Sequence, residues 1–469
     1  MPDLLLTHGY FLYEDPKEMQ IMKPYAPLGI LYLCSHLRQQ GFDVDVFDTT
    51  FSSRSALFHH LRTETPSILG IYANLMTRGN AIEIMSVAHE AGWQVIVGGP
   101  EPGAYAQEYL EAGADFVVFG EGEATTQELL TARRNRADKT DPAWRSKIAG
   151  VAYLDESGHL WQNPPRAQIA DLDAQPWPAR RAVDLHRYVN TWRTHHQQGS
   201  VNFITARGCP YKCRWCSHQV YGQTHRRRNP FKVVDEVEWL LEEYRPDIAW
   251  VSDDVFTINH EWIRQYAAEM RRRNLHVPFE CISRADRLNE EMLDLLAELG
   301  CFRIWIGSES GSQRLLDSMD RGVKVEQVQR AVQLSRARNI QSGMFLMWGY
   351  EGEEMEDIEA TIQHVRTAQP DIFFTTVSYP IKGTPYYQQI QSKLVQLQPW
   401  GQSSDREIKI RGRHSRAYYA HADSLLRNEV QLARLNSVGT GDHSLLAELN
   451  TKISIARSGL LATQSEVEA

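Results

Sequence analysis

Three cysteines, Cys209, Cys213 and Cys216, fall within eight residues of the stretch ARGCPYKCRWCSHQ (206–219), in a chain that has only six. Their spacing is C-x3-C-x2-C. Where thiols stay reduced, cysteines this close together point to metal binding or catalysis. A structural zinc site closes with four ligands, and a ferredoxin-type iron–sulfur cluster also takes four thiolates. Three thiolates without a nearby fourth leave one coordination position open. A centre needs such a position if it is to bind a second molecule and act on it. The zinc alternative would recruit His218 in the uncommon order Cys213-x2-Cys216-x-His218, and no second C-x2-C pair exists. Cys34, Cys281 and Cys301 sit in apolar contexts and are expected to be small buried hydrophobes.

The elements that must position these thiols follow from the apolar pattern. From residue 201, strand-like runs are VNFITAR (201–207), IAWVSDD (248–254), FECISR (279–284), FRIWIGSE (302–309), GMFLMWG (343–349) and IFFTTVSYP (372–380). Helix-like segments lie between them at 231–244, 260–273, 289–299, 325–338 and 354–368. Six strands alternating with helices are too few for a closed eight-fold barrel, and predict a partial (β/α)6 barrel. The cysteines follow its first strand, at the carboxyl end where such folds carry their chemistry.

RGCPYKCRWC resembles the signature of the radical S-adenosylmethionine (SAM) superfamily, with Trp215 at its aromatic position. The resemblance covers about 200–385. It implies that Cys209, Cys213 and Cys216 hold a [4Fe–4S] cluster whose fourth iron is chelated by the amino and carboxylate groups of SAM. Further strand ends carry the likeness. Ser252-Asp253-Asp254 stands where the family often has Gly-Gly-Glu, and offers Asp253 or Asp254 to the SAM ammonium. Ser283 and Arg284 end the third strand and resemble the polar pair that meets the SAM carboxylate or ribose. Gly307-Ser308-Glu309-Ser310-Gly311-Ser312 resembles a G-x-E-S-G-S turn, with Ser308 and Glu309 toward the ribose. Trp348-Gly349-Tyr350-Glu351-Gly352-Glu353 stands where a Gly-Leu-Pro-Gly-Glu-like turn is common.

Residues 1–135 also alternate strand and helix signals. LLLTH (4–8), VDVFD (44–48), SILGIYA (67–73), WQVIVGG (93–99) and DFVVFGEGE (115–123) read as five buried strands, with helices at 28–40, 54–63, 80–91 and 102–112. The expected fold is a doubly wound, Rossmann-like parallel sheet. Its strand ends are glycine-rich, and Gly98, Gly99, Gly120, Glu121 and Gly122 are candidate ligand contacts. PYAPLGILYLCSHLRQQGFDVDVFD, GGPEPGA and ADFVVFGEGE resemble the cobalamin-binding domain that precedes some radical SAM barrels. That resemblance covers about 1–140 and implies cobalamin there. The Asp-x-His-x-x-Gly motif by which some such domains ligate cobalt is missing, and His8 and His36 are weak substitutes.

Together these give α/β architecture in four parts: a cobalamin-binding domain (1–140), a hairpin around Ser157-Gly158 with a linker (141–200), the radical SAM partial barrel (201–385) and a helical C-terminal region (386–469). TQSEVEA at the end reads as a frayed tail. Arg226-Arg227-Arg228 and Arg271-Arg272-Arg273 read as solvated faces.

The 469 residues are 42% hydrophobic and 23% charged, with net charge −9. That composition fits a water-soluble globular chain and argues against nucleic acid as main partner. No apolar run reaches the ~18 residues a membrane helix needs. MPDLLLTHGYFLYEDPKE lacks the basic start of a secretory signal, so a cytoplasmic site is expected. The family likeness implies a C-methyltransferase acting on a small-molecule substrate, fed electrons by a flavodoxin or ferredoxin. An oxidative cyclase resembling the anaerobic magnesium-protoporphyrin monomethyl ester enzyme is the nearest alternative. A non-catalytic cobalamin or cluster sensor is the alternative of another class.

Overall fold

The computed structural model describes residues 2–135, 143–218, 220–438 and 443–468. The expected boundary at 140–141 lies outside them, as do Gln219, Ala469 and residues 439–442 of the expected C-terminal helical stretch. The chain divides into two compact units: Met1–Pro210 with Ser217–Trp250 and Gln398–Ser404, and Tyr211–Cys216 with Val251–Leu397 and Asp405–Ala469.

The first unit opens with β1 (Leu4–His8), β2 (Val44–Phe47), β3 (Ile68–Tyr72), β4 (Gln94–Gly98) and β5 (Phe116–Val118). They pair in parallel in the order β2-β1-β3-β4-β5. Helices Leu28–Gln39, Arg54–Thr63, Arg78–Glu90 and Ala106–Glu111 connect them. Strands buried on both faces need continuous apolar runs, and two buried clusters supply them. One gathers Leu5, Leu69, Ile71, Val95 and Val97, the other Leu4, Leu6, Ile68, Ile96 and Val118.

The hairpin forms as β6 (Val151–Leu154) and β7 (Leu160–Gln162) around Gly158, whose φ is +80°. It extends the same sheet, because β6 pairs antiparallel with β5. Within 163–200 the sequence shows little periodicity, yet Leu185–His196 is a helix. Asp184 caps it, and Leu185, Tyr188, Val189 and Trp192 form its buried stripe.

Next come β8 (Ser200–Phe203), β9 (Ala206–Arg207), β10 (Arg226–Arg227) and β11 (Ile248–Val251). They are followed by β12 (Phe279–Ser283), β13 (Cys301–Glu309), β14 (Gln341–Trp348) and β15 (Ile372–Val377). Strands β8 and β11–β15 are the six strands that the sequence predicts from residue 201 on. In the second unit, β12, β13, β14 and β15 pair in parallel in that order. Helices follow them in turn, and Gln313–Ser318 is an additional short one. The C-terminal helices are Arg416–Val438 and His443–Ala462.

Three expectations need correction. The tail is not frayed: Val467 bridges to His414, and the buried Glu468 carboxylate pairs with Arg413 at 2.8 Å. Nor is Arg226-Arg227-Arg228 a solvated face, since Arg226 reaches Glu121 at 2.6 Å and the buried Arg228 reaches the buried Glu236 at 2.5 Å. The region 386–469, expected to be helical throughout, opens with helix only over Pro385–Ile390, and short 3-10 turns and two short strands follow before Arg416–Val438. Cys34, Cys281 and Cys301 are buried as expected.

Candidate active site

In the first unit, the stretch that carries the cysteines leaves β9 through Gly208, at φ +87°. A Cβ there would stand 2.3 Å from the Thr224 carbonyl oxygen, so no other residue fits ahead of Cys209. Cys209 is half-buried.

Cys213 and Cys216 belong to the second unit, and the Cys216 amide donates to the Cys213 carbonyl at 3.2 Å. The Arg214 amide donates to Met319 O at 3.0 Å, and the Tyr386 amide donates to Arg214 O at 2.9 Å. Tyr211 lies under the Arg284 guanidinium, 3.5 Å from its ring centre, and its hydroxyl accepts from Arg287 Nε at 2.5 Å. The loop is thus held by its neighbours at three points.

The Cys213 sulfur faces two guanidiniums: Arg284 Nη1 at 4.0 Å and Arg321 Nη1 at 3.8 Å. Both arginines are buried. Cations beside a sulfur favour the thiolate, the form that ligates metal. Arg284 is fixed by Asp286 at 2.9 Å and by Arg321 O at 2.9 Å. Arg321 is fixed by Gly307 O at 2.7 Å and lies 3.6 Å from Glu309. Arg321 escapes sequence reasoning because it lies in a turn after a short helix, outside every motif; the adjoining Asp320 and Gly322, both at positive φ, mark only the turn.

Glu309 is a non-glycine residue at φ +63°, next to a register shift in β13. Backbone strain of this kind concentrates at functional sites. Burial raises its carboxyl pKa, while Arg321 and Arg284 oppose the rise. Gly307 makes room for the pair: a Cβ would fall 2.6 Å from Arg321 Nη2 and 2.7 Å from Glu309 Oε1.

The other expected SAM contacts divide. Asp253 is buried. Asp254 stays accessible yet is crowded enough that desolvation, helped by the Asp253 charge, raises its carboxyl to about 6. The Ser283 hydroxyl is engaged by Thr257. Ser308 turns away from Glu309 and bonds His364 Nε2 at 3.0 Å; burial lowers that imidazole to about 4, so it is neutral at pH 7. Trp215 packs against the cluster of Leu315, Met319, Met347 and Tyr350.

Three buried nitrogens near the cysteines in sequence, Arg214 Nε, Trp215 Nε1 and His218 Nε2, have no hydrogen-bond partner. Burial lowers the His218 pKa. Among the described residues no three His, Cys, Asp or Glu side chains form a cage for a single metal ion. A four-iron cluster spaces its thiolates more widely than one ion does. The donor chemistry, thiolates attended by guanidiniums and unpaired N–H groups, suits an anionic iron–sulfur cluster.

In the first unit, Gly98 ends β4 and Gly120 follows β5 at φ +77°, its nearest neighbour Val220 O at 4.0 Å. Gly122 opens helix Gly122–Arg134, with only Val118 Cγ1 at 3.7 Å and Thr126 Oγ1 at 3.8 Å near an added Cβ. Both leave room for a ligand at the sheet's carboxyl edge, as a bulky cofactor there requires. Gly99 differs: its missing Cβ would strike Ala73 O at 2.3 Å, so it serves strand packing. Glu121 is also committed, accepting from Arg207 at 2.7 Å, Arg226 at 2.6 Å and the Ile169 amide at 2.8 Å. The ring nitrogens of His8 are taken by Asp48 and Thr49, and those of His36 by Gln175 and Gln127.

Comparison with known proteins agrees with both halves. The Radical SAM superfamily model matches residues 203–365, and the B12 binding domain model matches residues 21–130. An uncharacterized methyltransferase of Pyrococcus horikoshii is 28% identical over 373 residues, covering 76% of this chain and 77% of that one. The anaerobic magnesium-protoporphyrin IX monomethyl ester cyclase of Rubrivivax gelatinosus is 27% identical over 384 residues, covering 80% and 68%. In fold, the radical SAM methyltransferase TsrM of Kitasatospora setae, solved with tryptophan and a SAM analogue bound, superimposes with TM-score 0.70 at 22% identity, covering 83% of this chain and 76% of that one. A radical SAM domain implies a [4Fe–4S] cluster and SAM, and a B12-binding domain implies cobalamin. The chain thus carries a B12-binding domain followed by a radical SAM domain, the pair that marks cobalamin-dependent radical SAM enzymes.

Proposed function

We propose that the chain is a cobalamin-dependent C-methyltransferase acting on an unactivated carbon of a small-molecule substrate. When bound, the cluster, SAM and cobalamin together supply one-electron cleavage of a sulfonium and a transferable methyl group. The protein's part is binding, orientation and exclusion of water.

Cys209, Cys213 and Cys216 are the proposed iron ligands. Arg284 and Arg321 set two positive charges beside the Cys213 sulfur, where an anionic cluster would sit, and their fixed hydrogen bonds keep them in place. Asp254, with Asp253 behind it, is proposed to pair with the SAM ammonium. Its raised pKa means the carboxylate is fully charged only above about pH 7. Glu309, strained and buried, is proposed to accept from a ribose hydroxyl, with Ser283, Ser308 and Trp215 shaping its surroundings. Gly98, Gly120 and Gly122 are the proposed cobalamin edge, with Gly99 and Glu121 supporting the backbone that forms it. With both histidines engaged, His8 and His36 contribute no cobalt ligand in this scheme.

The observation that carries the proposal is the Cys213 sulfur between two buried guanidiniums, at the start of a chain segment matching the radical SAM model. The proposed setting is the cytoplasm, with a flavodoxin or ferredoxin as electron donor. The test is anaerobic reconstitution with iron, sulfide and cobalamin, then product analysis with methyl-labelled SAM. Labelled methyl on carbon of a product supports methyl transfer. Oxygenated or cyclised product without label would favour the second reading, an oxidative cyclase, to which the Rubrivivax likeness points. Cofactor binding with no cleavage of SAM would leave the sensor alternative.

A further inference from the structure

At the carboxyl ends of β14 and β15 the second unit contains a groove of about 310 Å³. Trp348 and Val377 form its strand side; Arg406, Arg413, Arg416 and Tyr419 line the rest. The charges there do not cancel. Arg413 is neutralised by Glu468 at 2.8 Å. Asp423, the one carboxylate in the lining, is held by Arg427 at 2.6 Å and by the Thr375 hydroxyl. Arg406 lies over the Tyr379 ring at 5.3 Å, and neither Arg406 nor Arg416 has a carboxylate partner among the described residues. Two positive charges therefore remain.

Arg416 also occupies the first turn of helix Arg416–Val438. A cation is disfavoured there by the helix dipole, and an anion beside it would be favoured twice over. Two further lining residues, Trp348 and Tyr419, carry hydrogen-bond donors. Trp348 is buried to 1% exposure, and its Nε1 has no acceptor. Tyr419 is buried, and burial raises its pKa so that the hydroxyl keeps its proton. The lining thus combines exposed guanidiniums, the donor-bearing rings of Trp348 and Tyr419, and the apolar Val377.

We propose that this groove binds the anionic end, a carboxylate or phosphate-type group, of a small molecule with a short apolar body. Resting on the function proposed above, that molecule is the substrate.

Fluorine NMR of the full chain with 4-fluorobenzoate, 4-fluorophenyl phosphate and neutral 4-fluorobenzyl alcohol tests this. At least one anion is expected to bind, and which one identifies the head group. The alcohol is expected not to bind. R406A and R416A should each weaken anion binding about tenfold, the scale of losing one charge-assisted contact. R416K should keep most of the affinity, and rising salt should lower it. Both arginines are exposed, so melting temperatures should be unchanged. Equal binding of the alcohol, unchanged affinity in R416A, or equal losses in R416A and R416K would each overturn the proposal. Binding needs no cofactor. Anion binding by a reconstituted chain that fails to cleave SAM would end the proposed function and leave this site standing; SAM cleavage without anion binding would do the reverse.

Discussion

The Arg321 guanidinium stands 3.8 Å from the Cys213 sulfur through Nη1, while its Nη2 donates to the Gly307 carbonyl at 2.7 Å. A fixed positive charge beside a metal-bound sulfur stabilises the more negative, reduced state of the centre. R321Q should therefore move the midpoint potential of the reconstituted cluster to more negative values, with R321K close to wild type. An EPR-monitored redox titration decides it. An unchanged potential in R321Q would reduce the arginine to a packing role.

Gly307 is the companion test. An alanine methyl would collide with the ends of two side chains, Arg321 and Glu309, and with no backbone atom among its nearest neighbours. The side chains should yield, so G307A should cost about 1 kcal/mol of stability, near the low end for overpacking. Iron retained after desalting should nevertheless fall. Denaturant unfolding and iron analysis on one preparation separate the two effects.

Asp254 sets a pH dependence. Its carboxyl is raised to about 6 by desolvation first and the Asp253 charge second. If the carboxylate pairs with the SAM ammonium, affinity for SAM should drop as pH falls through about 6 and level off above 7. D254N should bind weakly at every pH. Equilibrium dialysis at pH 5.5 and 7.5 measures this, and a slope that persists in D254N would assign the titration elsewhere.

Glu353 makes a prediction about stability. Burial pushes its carboxyl up to about 8, against the single amide it accepts from Gly349 at 2.6 Å, and its Oε1 is buried without a partner. A folded pKa above the unfolded value means the native state prefers the protonated acid. The cost is absent below about pH 4.5, grows as pH rises toward 8, and is constant above that. E353Q should be no more stable than wild type at pH 4.5 and more stable at pH 8.5, at a rate of about 1.4 kcal/mol per pKa unit relieved. Urea midpoints at the two pH values give the answer.

The chain advertises its strands because a sheet covered on both faces needs unbroken apolar runs, and LLLTH or GMFLMWG can serve nothing else. The cysteine loop is legible for a similar reason, since ligand spacing is local. What stays hidden is long-range pairing of charges. Glu121 looks like a loop residue beside two glycines, yet its partners Arg207 and Arg226 lie far along the chain. Arg226-Arg227-Arg228 looks solvated for the same reason. Helix Leu185–His196 hides because its buried stripe is diluted by histidine, arginine and threonine. Ser308 could be placed on a strand end, but not on the face that meets His364.

The Arg214 backbone is bonded on both sides, its amide to Met319 and its carbonyl from Tyr386, while Tyr211 is gripped by two arginines. Such a receptacle stands before its cargo arrives. Unlike a zinc finger, which collapses when stripped, this loop should survive a chelator with its circular dichroism intact, and should accept fresh iron without a refolding step.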